Sequence, residues 1–233
     1  MKLSRRQILL LAAGLLFLLL ALMPMRFALG LAGKPVSAAR AAGLVWNGAI
    51  GDLGIGKMKL GNVEAGLKPL PLLVGRREFW INRIVSPGIQ PLDGVFVLGS
   101  GVERLSGSVG ISQLFPTLPL SDAHFEGFTA RFHNGRCDRA SGQLRLDLDG
   151  GGLPGMNVSN GLLGAARCDG GKLVIPLMSQ STMERINLSL AADGSYSATV
   201  TINSENPETA AALTLAGFRP VSGGYRLVRR GKL

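Results

Sequence analysis

The sequence predicts a mainly β protein, with one N-terminal transmembrane helix ahead of a largely antiparallel β-sheet body and few short helices. Three observations predict it. An 18-residue run, Ile8 to Met25, carries no charge. The chain is 46% apolar but only 6% aromatic and 17% charged, with 33 Gly and 12 Pro, which opposes long soluble helices and suits short strands joined by tight turns. Apolar residues also recur at a period of two in segment after segment, the spacing that puts alternate side chains on one face of a sheet.

The apolar run comes first. Eighteen residues make about 27 Å of helix, close to a hydrocarbon core of about 30 Å, where a helix satisfies its own backbone. Lys2, Arg5 and Arg6 precede the run, Arg26 follows it, and the first acidic residue is Asp52. That asymmetry predicts a single pass with the N-terminus cytoplasmic. A cleaved signal peptide fits the same basic start, with Ala28-Leu29-Gly30 as a weak cleavage candidate, and a buried soluble helix is the remaining alternative. The expected organisation is residues 1–26 as cytoplasmic tip and anchor, 27–42 as juxtamembrane linker, and 43–233 as a β-rich domain beyond the membrane.

In the body, Leu53/Ile55, Met58/Leu60 and Val63/Ala65/Leu67 alternate, and Asn47-Gly48, Gly56-Lys57 and Gly61-Asn62 read as the turns of a meander. Trp46 reads as a core residue against that sheet. Pro69 to Gly75 holds two close prolines and reads as a connection or a short turn covering a sheet end. Arg76 to Val85 is a strand with Phe79, Ile81 and Arg83 on one face. Pro87-Gly88 and Pro91 punctuate, Val95/Val97 and Leu105 to Val109 continue the pattern, and Ile111 to Leu120 reads as a helical turn or irregular cover. Ala123 to Phe132 is the clearest strand, with a mixed face on each side. Leu144/Leu146/Leu148, Leu173 to Leu177, Ile186 to Leu190 and Ser195 to Ile202 follow. Asn206-Pro207-Glu208 opens a helix that Gly217 stops, with Leu213 pinning it to the sheet. Tyr225 to Val228 is a last strand.

Cys137 and Cys168 are the only cysteines. An even pair beyond a membrane reads as a disulfide, and Arg136-Cys137-Asp138 and Arg167-Cys168-Asp169 each lead through a glycine into a strand. Two thiols without ordered histidine partners do not make a zinc site. No Walker loop, His-Glu-x-x-His, Gly-x-Ser-x-Gly or dinucleotide fingerprint is present. His124 and His133 are nine positions apart on one strand, too far for a metal pair. Asp147 and Asp149 read as a solvated strand end, with an acid/base or calcium role as the alternative. Asn157-Val158-Ser159 and Asn187-Leu188-Ser189 have the form of glycosylation acceptors. No catalytic, cofactor-binding or metal residue is assigned, and no cofactor is expected.

The formal net charge is +10. Setting aside Lys2, Arg5, Arg6 and Arg26 leaves 21 basic against 15 acidic residues, a spread +6. That excess reads as a basic soluble surface; no recognition helix or zinc finger points to nucleic acid.

Leu44-Val45-Trp46-Asn47-Gly48, Leu60-Gly61-Asn62-Val63 and Leu67-Lys68-Pro69-Leu70-Pro71-Leu72-Leu73 resemble the opening of the type II secretion system protein N family. Gly194-x-Tyr196, Leu213-Thr214-Leu215-Ala216-Gly217-Phe218 and Gly223-Gly224-Tyr225-Arg226-Leu227 before Gly231-Lys232-Leu233 resemble its C-terminal part. The resemblance implies a single-pass inner-membrane protein with a periplasmic body. It also implies a non-enzymatic accessory role in exporting folded proteins across the outer membrane, with other inner-membrane or periplasmic parts of the apparatus as partners. A fold analogy to AsmA-type bridge proteins implies that the sheet is curved. It also supplies the alternative reading, an envelope protein whose curved sheet shelters lipid.

Overall fold

Alternating apolar residues separated by glycine-rich turns dictate strands that pair with their sequence neighbours, and that is how the sheet is built. The computed structural model describes residues 4–32, 36–56, 58–85, 90–114, 120–148, 161–204 and 206–232. Two helices lead, α1 (Arg5–Ala21) and α2 (Met25–Ala32), followed by β1 (Val36–Ser37), β2 (Arg40–Leu44), β3 (Asn47–Ile55) and β4 (Met58–Leu67). A short helix, α3 (Pro69–Leu72), precedes β5 (Glu78–Arg83), β6 (Leu92–Val97), β7 (Gly101–Gly110), β8 (Leu120–His133) and β9 (Arg136–Leu148). The second half holds β10 (Leu162–Ala165), β11 (Arg167–Asp169), β12 (Lys172–Met178), β13 (Glu184–Leu190), β14 (Ser195–Ile202), α4 (Pro207–Leu215), β15 (Arg219–Val221) and β16 (Gly224–Lys232).

All 16 described strands belong to one sheet in the order β1-β3-β4-β5-β6-β7-β8-β9-β10-β12-β13-β14-β16-β15, with β2 also on β3 and β11 also on β12. Every pairing is antiparallel. The mainly β, antiparallel expectation therefore holds. The sheet begins at Val36. Most of its buried apolar residues form one continuous cluster from Met25 to Leu227, with Val45, Val95 and Val97 outside it.

The membrane anchor is corrected. The helix expected over Ile8 to Met25 ends at Ala21 after 17 residues, and no helix among the described residues is long and apolar enough to cross a membrane. The physical reason lies in the last residues of the run. The Met23 carbonyl accepts a hydrogen bond from Val45 N (2.8 Å), Pro24 bridges to Leu44, and Met25 is buried in the core of the body. The tail of the apolar run thus belongs to the sheet domain. With the anchor go the single-pass topology, the inner-membrane location inferred from it, and the bilayer contact through this helix.

Other expectations shift for identifiable reasons. Gly61-Asn62 is no turn; it lies inside β4 at a register shift. Asp52 N there donates to Asn62 Oδ1 (3.2 Å). Trp46 sits half-buried in the β2–β3 turn and donates its indole N–H to the Ala21 carbonyl (3.0 Å), tying the end of α1 to the body. The Pro69 segment forms α3, with Pro71 and Leu72 partly buried and Leu70 and Leu73 76% and 83% exposed. Helix α4 has its expected bounds with Leu213 fully buried. Strand β15 was not foreseen, and β16 runs four residues beyond Val228. The Pro87-Gly88, Pro116/Pro119, Asp149 and Asn157 readings lie outside the described residues.

Candidate functional site

The side chains that converge in this molecule are apolar. Met58 and Leu60 of β4, Phe96 of β6, Leu105 of β7, Phe128 of β8, Leu146 of β9, Ile175 of β12, Ile186 of β13 and Ala198 of β14 all line one hollow of about 410 Å3. Every side chain lining it is hydrocarbon or thioether. From β4 to β14 there are nine strand spacings in the sheet order, roughly 43 Å if the sheet were flat. Residues so far apart along the sheet meet around one small hollow only because the sheet curls. Phe125 and Phe128 stack edge-to-face there, their ring centroids 5.2 Å apart.

Bulges set which side chains point inward. Along β8 the register shifts between Glu126 and Thr129, and Gly127 takes φ +55°. The extra residue turns Phe125 and Phe128 to the same face although their numbers differ by three. A matching shift between Val102 and Leu105 in β7 puts Arg104 at φ +51°, where its N–H donates to the Thr129 hydroxyl (3.1 Å).

Cys137 and Cys168 are bonded, with Cα atoms 5.5 Å apart. Cys137 lies opposite Phe132 and Cys168 opposite Leu173. Directly opposed residues share a face, and both partners line the hollow, so the bridge sits on the concave side. It joins β9 to β11 beyond the stretch where β9 is laddered to β10.

Arg83 is the one cation fully enclosed on this face among the described residues, 8% exposed. Its Nε donates to the Leu60 carbonyl (2.9 Å), and its Nη1 to the carbonyls of Gln90 (3.2 Å) and Ser108 (2.8 Å). Burial lowers its pKa from the usual guanidinium value, yet the three carbonyls hold the charge in place of a carboxylate. The guanidinium thereby links β4, β5, the approach to β6, and β7.

The polar clusters elsewhere do not make a catalytic centre. His124 Nε2 lies 2.7 Å from Asp147 Oδ2, and Arg145 Nε reaches the other oxygen of the same carboxylate at 3.3 Å. His124 points to the convex face, between inward-facing Ala123 and Phe125, and no hydroxyl is hydrogen-bonded to it among the described residues. His133 is exposed at the other end of β8. The Glu184 carboxylate, buried, accepts from the Ser179 and Ser181 hydroxyls and locks the β12–β13 turn. Glu78 is buried against Arg76 (2.8 Å) and Lys68 (3.8 Å), and Arg76 and Arg131 meet at Glu103 (3.5 and 3.1 Å). Among the described residues no three His, Cys, Asp or Glu side chains group to hold a metal.

The family model for type II secretion system (T2SS), protein N, matches residues 34–228. The chain belongs to the type II secretion system protein N family. The matched stretch takes in the whole sheet apart from the end of β16 and leaves out α1 and α2. Membership places the chain among the non-catalytic accessory proteins of type II secretion. No curated protein and no solved structure matches it.

Period-two patterning puts Phe79, Ile81 and Arg83 on one face, and they share it in β5, but none of the three lines the hollow. What patterning missed is that distant strands share one concavity, and that bulges at Gly127 and Gly61 re-aim the side chains.

Proposed function

We propose that this chain serves the type II secretion machine through protein–protein contacts with its other components, aiding export of folded proteins across the outer membrane from the periplasmic side. The observation that carries this reading is the family match over nearly the whole sheet. The body offers long strands, two sheet edges and exposed apolar side chains at Leu70, Leu73 and Val74 for such contacts. Affinity capture of the tagged full chain from detergent-extracted cell envelopes tests it. Recovery of secretion-machine components in stoichiometric amounts supports the reading; their absence under conditions that preserve the rest of the machine rejects it.

One observation favours a second reading, in which the sheet shelters lipid. A methylene occupies about the share of liquid volume that a water does, about 30 Å3. The hollow of about 410 Å3 therefore has room for roughly a dozen chain carbons. Native mass spectrometry on the intact chain distinguishes the two readings. A bound hydrocarbon-chain adduct in the native protein, diminished in Ala198→Trp, supports lipid sheltering; an adduct-free native protein supports contacts alone.

A further inference from the structure

The two ends of the sheet are finished differently. At the N-terminal edge, β2 is covered: Arg26 Nε donates to the Ala41 carbonyl (2.9 Å), Pro24 bridges to Leu44, and α2 lies alongside. At the C-terminal edge, β15 pairs with β16 only from Arg219–Arg226 to Val221–Gly224. Beyond Arg226, β16 continues against β14 as far as Lys232, and no described backbone group bonds its other side. Alternate N–H and C=O groups over Leu227–Lys232 are thus presented outward, the arrangement that accepts an added strand.

This open edge is strongly basic. A groove of about 530 Å3 beside it is lined by Arg219, Arg226, Arg229 and Arg230 together with Gly217 and Leu227, among others. None of these arginines has a carboxylate partner among the described residues. The Nε of Arg229 is buried without a hydrogen-bond partner there, a state that native proteins rarely leave unresolved. Asp193, an acid near Lys232, is engaged by Ser195: the Ser195 hydrogen bonds, with Lys232 adding to them, hold its carboxyl below the usual range.

We propose that the free edge of β16 over Leu227–Lys232 binds an extended acidic polypeptide segment of a partner protein, which adds as a strand while its carboxylates pair with the arginines of the groove. The backbone edge selects a peptide over a phosphate-bearing ligand, because only a peptide supplies matching N–H and C=O groups. The charge selects an acidic strand over a second copy of this chain, whose own edge carries the same Arg229, Arg230 and Lys232. The surface lies at the sheet's edge, away from the hollow, and does not depend on whether the chain also shelters lipid.

The test uses the full chain and a fluorescent ten-residue peptide alternating glutamate with valine. Anisotropy is expected to show saturable binding that weakens with salt and falls at least about tenfold, equivalent to about 1.4 kcal/mol, in the Arg229→Glu/Arg230→Glu double variant. Amide exchange is expected to slow at alternate residues of Leu227–Lys232 when the peptide is bound. The same peptide N-methylated at every second residue keeps its charge, leaves the protein untouched, and is expected not to bind. Equal binding of the N-methylated peptide, or equal competition by anionic phospholipid vesicles, would overturn the proposal. So would sedimentation showing that the edge is already occupied by a second copy.

Discussion

Arg83 shows how a single residue can be readable in sequence and still surprise. The alternation Phe79, Ile81, Arg83 puts a cation on an apolar stripe, where an unpaired charge is costly. The structure resolves the conflict with three carbonyl acceptors drawn from β4, the approach to β6, and β7. The Leu60 and Ser108 acceptors lie 23 and 25 residues away, and Gln90 lies seven residues on, past the end of β5, so the period-two pattern of the strand reports none of them. Arg83→Met keeps the bulk but leaves those carbonyls short of a donor inside the sheet. At about 1–3 kcal/mol for a buried group left unsatisfied, it is expected to cost roughly 2–4 kcal/mol of stability in urea unfolding. Arg83→Lys should recover part of the loss, since an ammonium can reach some of the acceptors; a loss as large as Met's would mean that the planar fork itself is required.

At the scale of elements, the strands were easier to read than their faces. Period-two patterning located most of them, but one extra residue reverses the side-chain parity downstream, and glycine marks turns and bulges alike. Gly61-Asn62 has the pattern of a turn and is a bulge. Gly127 sits where the mixed face of β8 changes sense. Across the ladder Gly142 has φ +90°, and a Cβ there would lie 2.5 Å from the Gly127 carbonyl oxygen. Gly142→Ala combines an unfavourable backbone with contact against rigid main chain, so a loss of about 1–3 kcal/mol is expected, read as a lower midpoint of thermal unfolding. Gly135→Ala, in the β8–β9 turn with open space around its Cβ, should cost less.

The disulfide belongs to the same scale. It joins β9 to β11 across 31 residues of sequence, which corresponds to about 3–4 kcal/mol in the chain-entropy account. We expect protein recovered from the cell envelope to carry no free thiol by non-reducing mass spectrometry. In reductant, amide exchange should accelerate first in Arg136–Ser141 and Arg167–Asp169 while β3–β5 stay protected. Free thiols in the native protein would count against the bridge. Uniform loosening of the whole sheet would mean that the clamp is global.

For the whole molecule, composition and period-two patterning are enough to give a largely antiparallel β body, though not its strand order, and the fold analogy to AsmA-type proteins supplies its curvature. The N-terminal run was misjudged because hydropathy alone does not reveal where a chain leaves a helix. Pro24 and Met25 read as the end of a span, yet Met25 is 3% exposed in the core of the body and Pro24 pairs with Leu44. The hollow was not visible in the sequence, since no local pattern reports that β4 and β14 approach one another.

That approach is the central claim, and a spin-label distance tests it most directly. Nitroxides placed at Lys59 and Thr199, on the convex sides of β4 and β14, would lie at least about 43 Å apart on a flat sheet of this strand order. The curled sheet predicts a distribution centred well below that value in the full chain with its native disulfide intact; a distribution centred at or above it would contradict the fold and the hollow together.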